Sequence, residues 1–135
     1  MNTLKILMID DAKHPREFLK NDNTRFNENE VTLVKTYSDG LNALLDQGPW
    51  DILLLDWHLN EFSRNRNGLR ILQTLQMRSQ RLSETNPNIK VDKIIVITSD
   101  NEIRQEMLQI CKRMKEQGLI KSFEAQHDGK ITNRS

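Results

Sequence analysis

Three short apolar runs constrain this chain more than any other feature: Leu4–Ile9 (LKILMI), Ile52–Leu55 (ILLL) and Ile94–Ile97 (IIVI). Each is too short for a buried helix, and the last is entirely β-branched. Such runs read as strands covered on both faces, which is the mark of a parallel sheet. A weaker strand is predicted at Val31–Tyr37 (VTLVKTY) and a fifth at Leu119–Phe123.

Helical patterns separate the runs. Pro15 suits a first helical position, with Phe18 and Leu19 after it. Ser38 and Asp39 can cap a helix that runs to Gln47 and stops at Gly48 and Pro49. Leu69, Leu72 and Leu75 recur at helical spacing after Gly68. Ile103, Met107, Ile110, Cys111 and Met114 form the clearest amphipathic stripe, ended by Gly118. Asn60–Asn67 and Ser79–Val91 read as polar loops, and Glu124–Ser135 as a tail. Strict strand–helix alternation predicts an α/β domain, a doubly wound five-stranded parallel sheet with right-handed crossovers. The domain is read as residues 1–123, followed by a polar tail at 124–135.

In such sheets ligands lie beyond the carboxyl ends of the strands. The first run ends in Asp10 and Asp11, the second in Asp56, the third in Thr98 and Ser99. The predicted fifth strand contains Lys121. Three carboxylates brought together repel one another unless a cation or a proton intervenes. Mg²⁺ suits such a set, because it takes one or two carboxylates directly and keeps places for water or phosphate oxygens. One carboxylate then faces an incoming phosphoryl group, for which carboxylates are competent acceptors. The hydroxyl and the ammonium would neutralise charge on the transferring oxygens.

The bulk numbers exclude several classes. In 135 residues with 36% apolar and 29% charged, no apolar run approaches the length of a membrane span. The N-terminal MNTLKILMIDD lacks the layout of a signal peptide, and the single Cys111 has no disulfide partner in the chain. Both point to the cytoplasm. A net charge of +1 argues against a broad nucleic-acid footprint, although Arg64, Arg66, Arg70, Arg78 and Arg81 form a local basic cluster.

Taken together these segments resemble a response-regulator receiver domain, a flavodoxin-like fold, over about residues 4 to 123. KILMIDD is similar to the family's first strand and acidic pair. WDILLLDWHL resembles its third strand, with Asp51 where an acid often opens that strand. NGLRILQTL resembles the Gly-led helix, KIIVITS the fourth strand, and KSF the family's Lys-Pro-Phe. The resemblance implies that Asp56 accepts a phosphoryl group and also contributes to the metal site, and that Asp11 binds Mg²⁺ directly, with Asp10 acting partly through water. It implies a further metal ligand in the backbone carbonyl of His58. Thr98 would report the phosphoryl group and Lys121 would pair with one of its oxygens. The donor would be a sensor histidine kinase or phosphotransfer protein. The signal would pass by association with an output protein.

The chain also departs from that pattern. The segment between Asp56 and Gly68 is longer than usual and carries Arg64 and Arg66. Ser122 stands where the family has proline. Only 12 residues follow Phe123, which implies a shortened last helix. His58, beside the acceptor, could position a water that removes the phosphoryl group. Two other readings therefore stay open. One is an adaptor that keeps the fold without phosphorylation. The other is a receiver-like enzyme that processes cyclic phosphate ends, with Asp10, Asp11, Asp56 and His58 handling the phosphate and the Arg-rich loop gripping it.

Overall fold

The computed structural model describes residues 5–10, 31–57, 59, 67–82, 89–98 and 100–126. The helix expected after Pro15, Asp11, His58, the arginines at 64 and 66, Ser99 and the tail beyond 126 lie outside the described residues. Five strands are described: β1 (Ile6–Ile9), β2 (Val31–Val34), β3 (Trp50–Asp56), β4 (Val91–Ile97) and β5 (Ser122–Gln126). The described helices are α1 (Tyr37–Asp46), α2 (Gly68–Leu82) and α3 (Asn101–Glu116). All strand pairs are parallel, and the order is β2-β1-β3-β4-β5. This is the expected doubly wound sheet. The order in which strands are added reverses between β1 and β3, and ligands of such sheets bind in the crevice beyond the carboxyl ends of strands at that switch point.

The apolar runs are buried on both sides for the reason their composition implied. Leu7, Ile9, Leu53, Leu55, Ile94 and Val96 share one core cluster with Ala43 and Leu44 of α1, Ile71, Leu72 and Leu75 of α2, and Met107, Ile110, Cys111 and Met114 of α3. The alternate residues Ile6, Met8, Ile52, Leu54, Ile95 and Ile97 form a second cluster on the opposite face. Period-two alternation thus sends one half of each run to each face. At the amino end of the sheet Asp51 ties β3 to the start of β1. Its carboxylate accepts the Lys5 N–H at 2.7 Å, and its own N–H donates to the Lys5 carbonyl at 2.8 Å. Trp50 donates its indole N–H to the Ala43 carbonyl at 2.9 Å, and the Lys5 ammonium lies over its ring.

Local chemistry sets the helix ends. The cap of α1 is Thr36, whose hydroxyl accepts the Asp39 N–H at 3.1 Å, rather than Ser38 or Asp39. Helix α2 continues through Ser79 to Leu82, so four residues expected in a loop are helical. Ser79 is buried there. Helix α3 closes with paired bonds from the Leu119 N–H to the Met114 carbonyl, 2.8 Å, and from the Gly118 N–H to the Lys115 carbonyl, 3.0 Å. This closure needs a left-handed residue, and Gly118 has φ 78°.

The fifth strand departs from expectation. It begins at Ser122 and runs to Gln126, three residues later than predicted and into the stretch read as tail. Leu119 and Ile120 belong instead to the turn after α3, where Ile120 is buried.

A Cβ on Gly118 would meet nothing within 4 Å, so substitution there tests backbone conformation alone. Gly118→Ala is expected to lower the unfolding free energy by about 1 kcal/mol and Gly118→Asn by less, read from urea denaturation midpoints. Equal stability of the two variants would contradict the left-handed closure.

Candidate functional site

The register brings three of the predicted residues to one edge. Ile9 pairs with Leu55, so Asp10, the next residue, stands level with Asp56 at the end of β3. Asp56 itself pairs with Ile97, and Thr98 follows directly. With strands about 5 Å apart, these three backbones occupy neighbouring positions along the carboxyl edge. Asp10 is buried, 7% exposed, and its N–H donates to the Val34 carbonyl at 3.1 Å. Asp56 is half-buried.

Helix α2 starts on top of Asp56. The Gly68 N–H donates to the Trp57 carbonyl at 2.8 Å, and Trp57 in turn donates to the Ile97 carbonyl at 3.3 Å. A Cβ on Gly68 would lie 2.2 Å from the Asp56 carbonyl oxygen and 2.9 Å from the Trp57 Cα. Both are backbone atoms, so glycine is required by close approach. Asn67 caps this helix through its side chain, which accepts the Arg70 N–H at 2.9 Å. Leu59, 3% exposed, returns the chain to the core just after the acid.

Thr98 is also buried, 4% exposed. Its hydroxyl oxygen accepts the Asp100 N–H at 3.0 Å, which leaves the hydroxyl proton to donate elsewhere. Asp100 caps α3 by accepting the Ile103 N–H at 3.0 Å. The sequence reading missed this cap, although an Asp directly before an amphipathic stripe is the usual signal for one.

Lys121 is not part of this edge, and the assignment drawn from KSF is corrected. Its N–H donates to the Asp92 carbonyl at 2.8 Å, and its ammonium, 81% exposed, lies 3.9 Å from the Asp92 carboxylate. Asp92 belongs to the amino end of β4. The level of Asp56 and Ile97 corresponds on β5 to Gln126, five residues beyond Lys121. At about 3.3 Å per residue this separates Lys121 from the acid edge by some 16 Å. Asp11 and His58 lie outside the described residues. Among the described residues no group of three His, Cys, Asp or Glu side chains forms a metal cluster. Two carboxylates, Asp10 and Asp56, share the edge, a donor set that fits a hard cation which takes one or two carboxylates directly.

A five-stranded parallel sheet in this order, with acids at the ends of β1 and β3 and a hydroxyl after β4, defines a receiver-type domain. Residues 5–113 match the model of the cyclic-phosphate processing receiver domain family, and the chain belongs to that family. The match stops before Lys121 and β5. Solved receivers share the fold at low identity. The bacteriophytochrome response regulator AtBRR is similar at TM-score 0.54 and 20% identity, over 93% of this chain and 84% of that one. The signal receiver domain of a LuxO repressor protein from Vibrio parahaemolyticus is similar at TM-score 0.52 and 12% identity, over 93% and 79%. No described helix is long and apolar enough to cross a membrane.

Behind the site, burial of Cys111 pushes its thiol up from 9.0 to about 12. The folded state therefore holds this proton more tightly than the unfolded chain does. The associated stability is complete below pH 9 and is lost as pH rises toward 12. The difference in unfolding free energy between the native chain and Cys111→Ala should narrow by about 1.4 kcal/mol per pH unit above pH 9. Parallel profiles from pH 8 to 11 would contradict the burial of a neutral thiol.

Gly68→Ala is expected to destabilise the fold by at least about 1–3 kcal/mol and to disturb the fluorescence of Trp57, whose backbone would have to move. Unchanged urea midpoint and emission would show that α2 does not sit on the acid.

Proposed function

We propose that this receiver domain hydrolyses a cyclic phosphate ester at the edge formed by Asp10, Asp56 and Thr98. The observation that supports this reading is the placement of Asp10, Asp56 and Thr98 at neighbouring backbone positions along one sheet edge, in a chain of the cyclic-phosphate processing receiver family. The displacement of Lys121 favours it over phosphoryl acceptance, because the ammonium expected to balance an aspartyl phosphate lies at the other end of the sheet.

Asp10 and Asp11 would hold Mg²⁺, with the His58 carbonyl as a further ligand. The cation, when bound, supplies charge stabilisation at a phosphoryl oxygen. Asp56 takes the proton from an attacking water. The new bond forms between the water oxygen and phosphorus, one ring P–O bond breaks, and the proton passes to the departing alkoxide. The product is an open phosphomonoester. Thr98 donates its hydroxyl proton to a phosphoryl oxygen, where developing charge rewards a fixed donor.

A second reading retains Asp56 as the acceptor of a phosphoryl group from a histidine kinase or phosphotransfer partner. The adjacency of Asp56 and Thr98 favours it. In that case the phosphorylated domain signals by association with an output protein.

One experiment separates these readings. The protein is incubated with a ribonucleoside cyclic phosphate and Mg²⁺ and followed by phosphorus NMR, and separately with acetyl phosphate and followed by intact mass. Cyclic phosphate hydrolysis is expected in the native protein. Asp56→Asn should reduce it by about 100-fold or more, and a chelator should remove it. A stable phosphoryl adduct without turnover would replace this reading with the acceptor. Neither turnover nor adduct would leave an adaptor module.

A further inference from the structure

The edge lacks the ammonium that a phosphate site on this scaffold was expected to receive from Lys121. A different cation stands close to Thr98. Arg104, on the first turn of α3, donates from Nη2 to the Thr98 carbonyl at 3.3 Å and from Nη1 to the Asn101 Oδ1 at 2.8 Å. Its backbone N–H donates to the Asp100 carbonyl at 2.9 Å. Neither side-chain partner is charged, so these bonds orient the guanidinium without cancelling its charge. A guanidinium has five N–H donors and these contacts engage two nitrogens once each, which leaves donors for a ligand.

The side on which Arg104 arrives is informative. The Ile97 carbonyl is used by Trp57 on the β3 side. By the alternation of an extended chain, the next carbonyl, that of Thr98, faces the β5 side. That is the flank from which a cation at the carboxyl end of β5 would have entered. The residue on β5 at the level of Ile97 is Gln126, which brings no charge. The Thr98 Cα lies about 6 Å from that of Asp56 by sheet geometry. Arg104 is half-buried, so its charge acts through less water than that of the exposed Lys121.

We infer that Arg104 is the phosphate-binding cation of this site: anchored on the Thr98 carbonyl by Asn101, it pairs with a phosphoryl oxygen of the substrate from the β5 flank, in the role expected of Lys121. This rests on the proposed reading of the edge as a phosphate site. The chemical class it selects is a phosphate or phosphate ester dianion or monoanion, for which the planar fork of arginine is well matched.

The test uses the full chain and inorganic phosphate, titrated calorimetrically with Mg²⁺ present. Phosphate affinity is expected to fall about ten- to a hundredfold in Arg104→Ala, since a hydrogen bond to a charged group is lost, and to recover partly in Arg104→Lys. Lys121→Ala should leave it unchanged. Mn²⁺ binding should be the same in all four proteins, which separates a lost phosphate contact from a collapsed site. If Arg104→Ala fails to fold by circular dichroism, Arg104→Gln, which keeps the stem and a donor but no charge, takes its place. Native protein that binds no phosphate would overturn the phosphate reading itself and this inference with it. Native protein that binds phosphate, loses it in Thr98→Val and keeps it in Arg104→Ala or Arg104→Gln would overturn the role of Arg104 alone.

Discussion

Everything functional in this domain depends on the parallel register of β1, β3 and β4. The pairs Ile9 with Leu55 and Asp56 with Ile97 end three strands at one level. A slip of one residue in β3 would exchange Leu53 and Leu55 with Ile52 and Leu54 between the two core clusters and turn Asp56 to the other face. Burial on both faces therefore fixes the acid. So does the approach of Gly68 to the Asp56 carbonyl, which leaves no room for a side chain. The chemistry of the edge is held by packing that lies entirely behind it.

This dependence explains which parts could be read directly from the residues. The strands β1, β3 and β4 announce themselves because both faces are covered, so their runs are unbroken. Helix α3 does so because its buried stripe is regular. The fifth strand is an edge, with half-buried positions and the mixed sequence Ser-Phe-Glu-Ala-Gln. Its pattern is weaker than that of the more apolar Leu119 and Ile120, of which Leu119 closes α3 and Ile120 is buried in the core. The continuation of α2 past Ser79 has a related cause. Polarity alone does not end a helix, and no glycine or proline interrupts the chain from Ser79 to Leu82.

The site was legible to the extent that it follows strands of that first kind. Asp10, Asp56 and Thr98 each follow or end an unbroken run, so their convergence could be inferred from topology. Lys121 had no such anchor. The letters KSF matched a familiar pattern, but a strand that starts after its lysine, rather than ending near it, carries the charge to the opposite edge. Spelling preserved the motif while register reversed its meaning. The roles given to Asp11 and to the His58 carbonyl, by contrast, rest on adjacency to Asp10 and Trp57 and on the family resemblance.

A cation delivered by α3 instead of β5 would also change what the domain can transmit. A lysine on a strand end is fixed to the sheet, so occupation of the site pulls on the sheet's edge. Arg104 shares a helical turn with Asn101 and Ile103, and that turn is joined to Thr98 through Asp100. A ligand oxygen that engages both the Thr98 hydroxyl and Arg104 would load the first turn of α3 from two sides. Further along the same helix, Met107, Ile110, Cys111 and Met114 are packed into the core and resist displacement. With Arg104 as the phosphate cation, a response to the ligand would fall on the first turn of α3, because the rest of the helix is held in the core. A partner that senses the bound state would then read that turn, not the body of the helix.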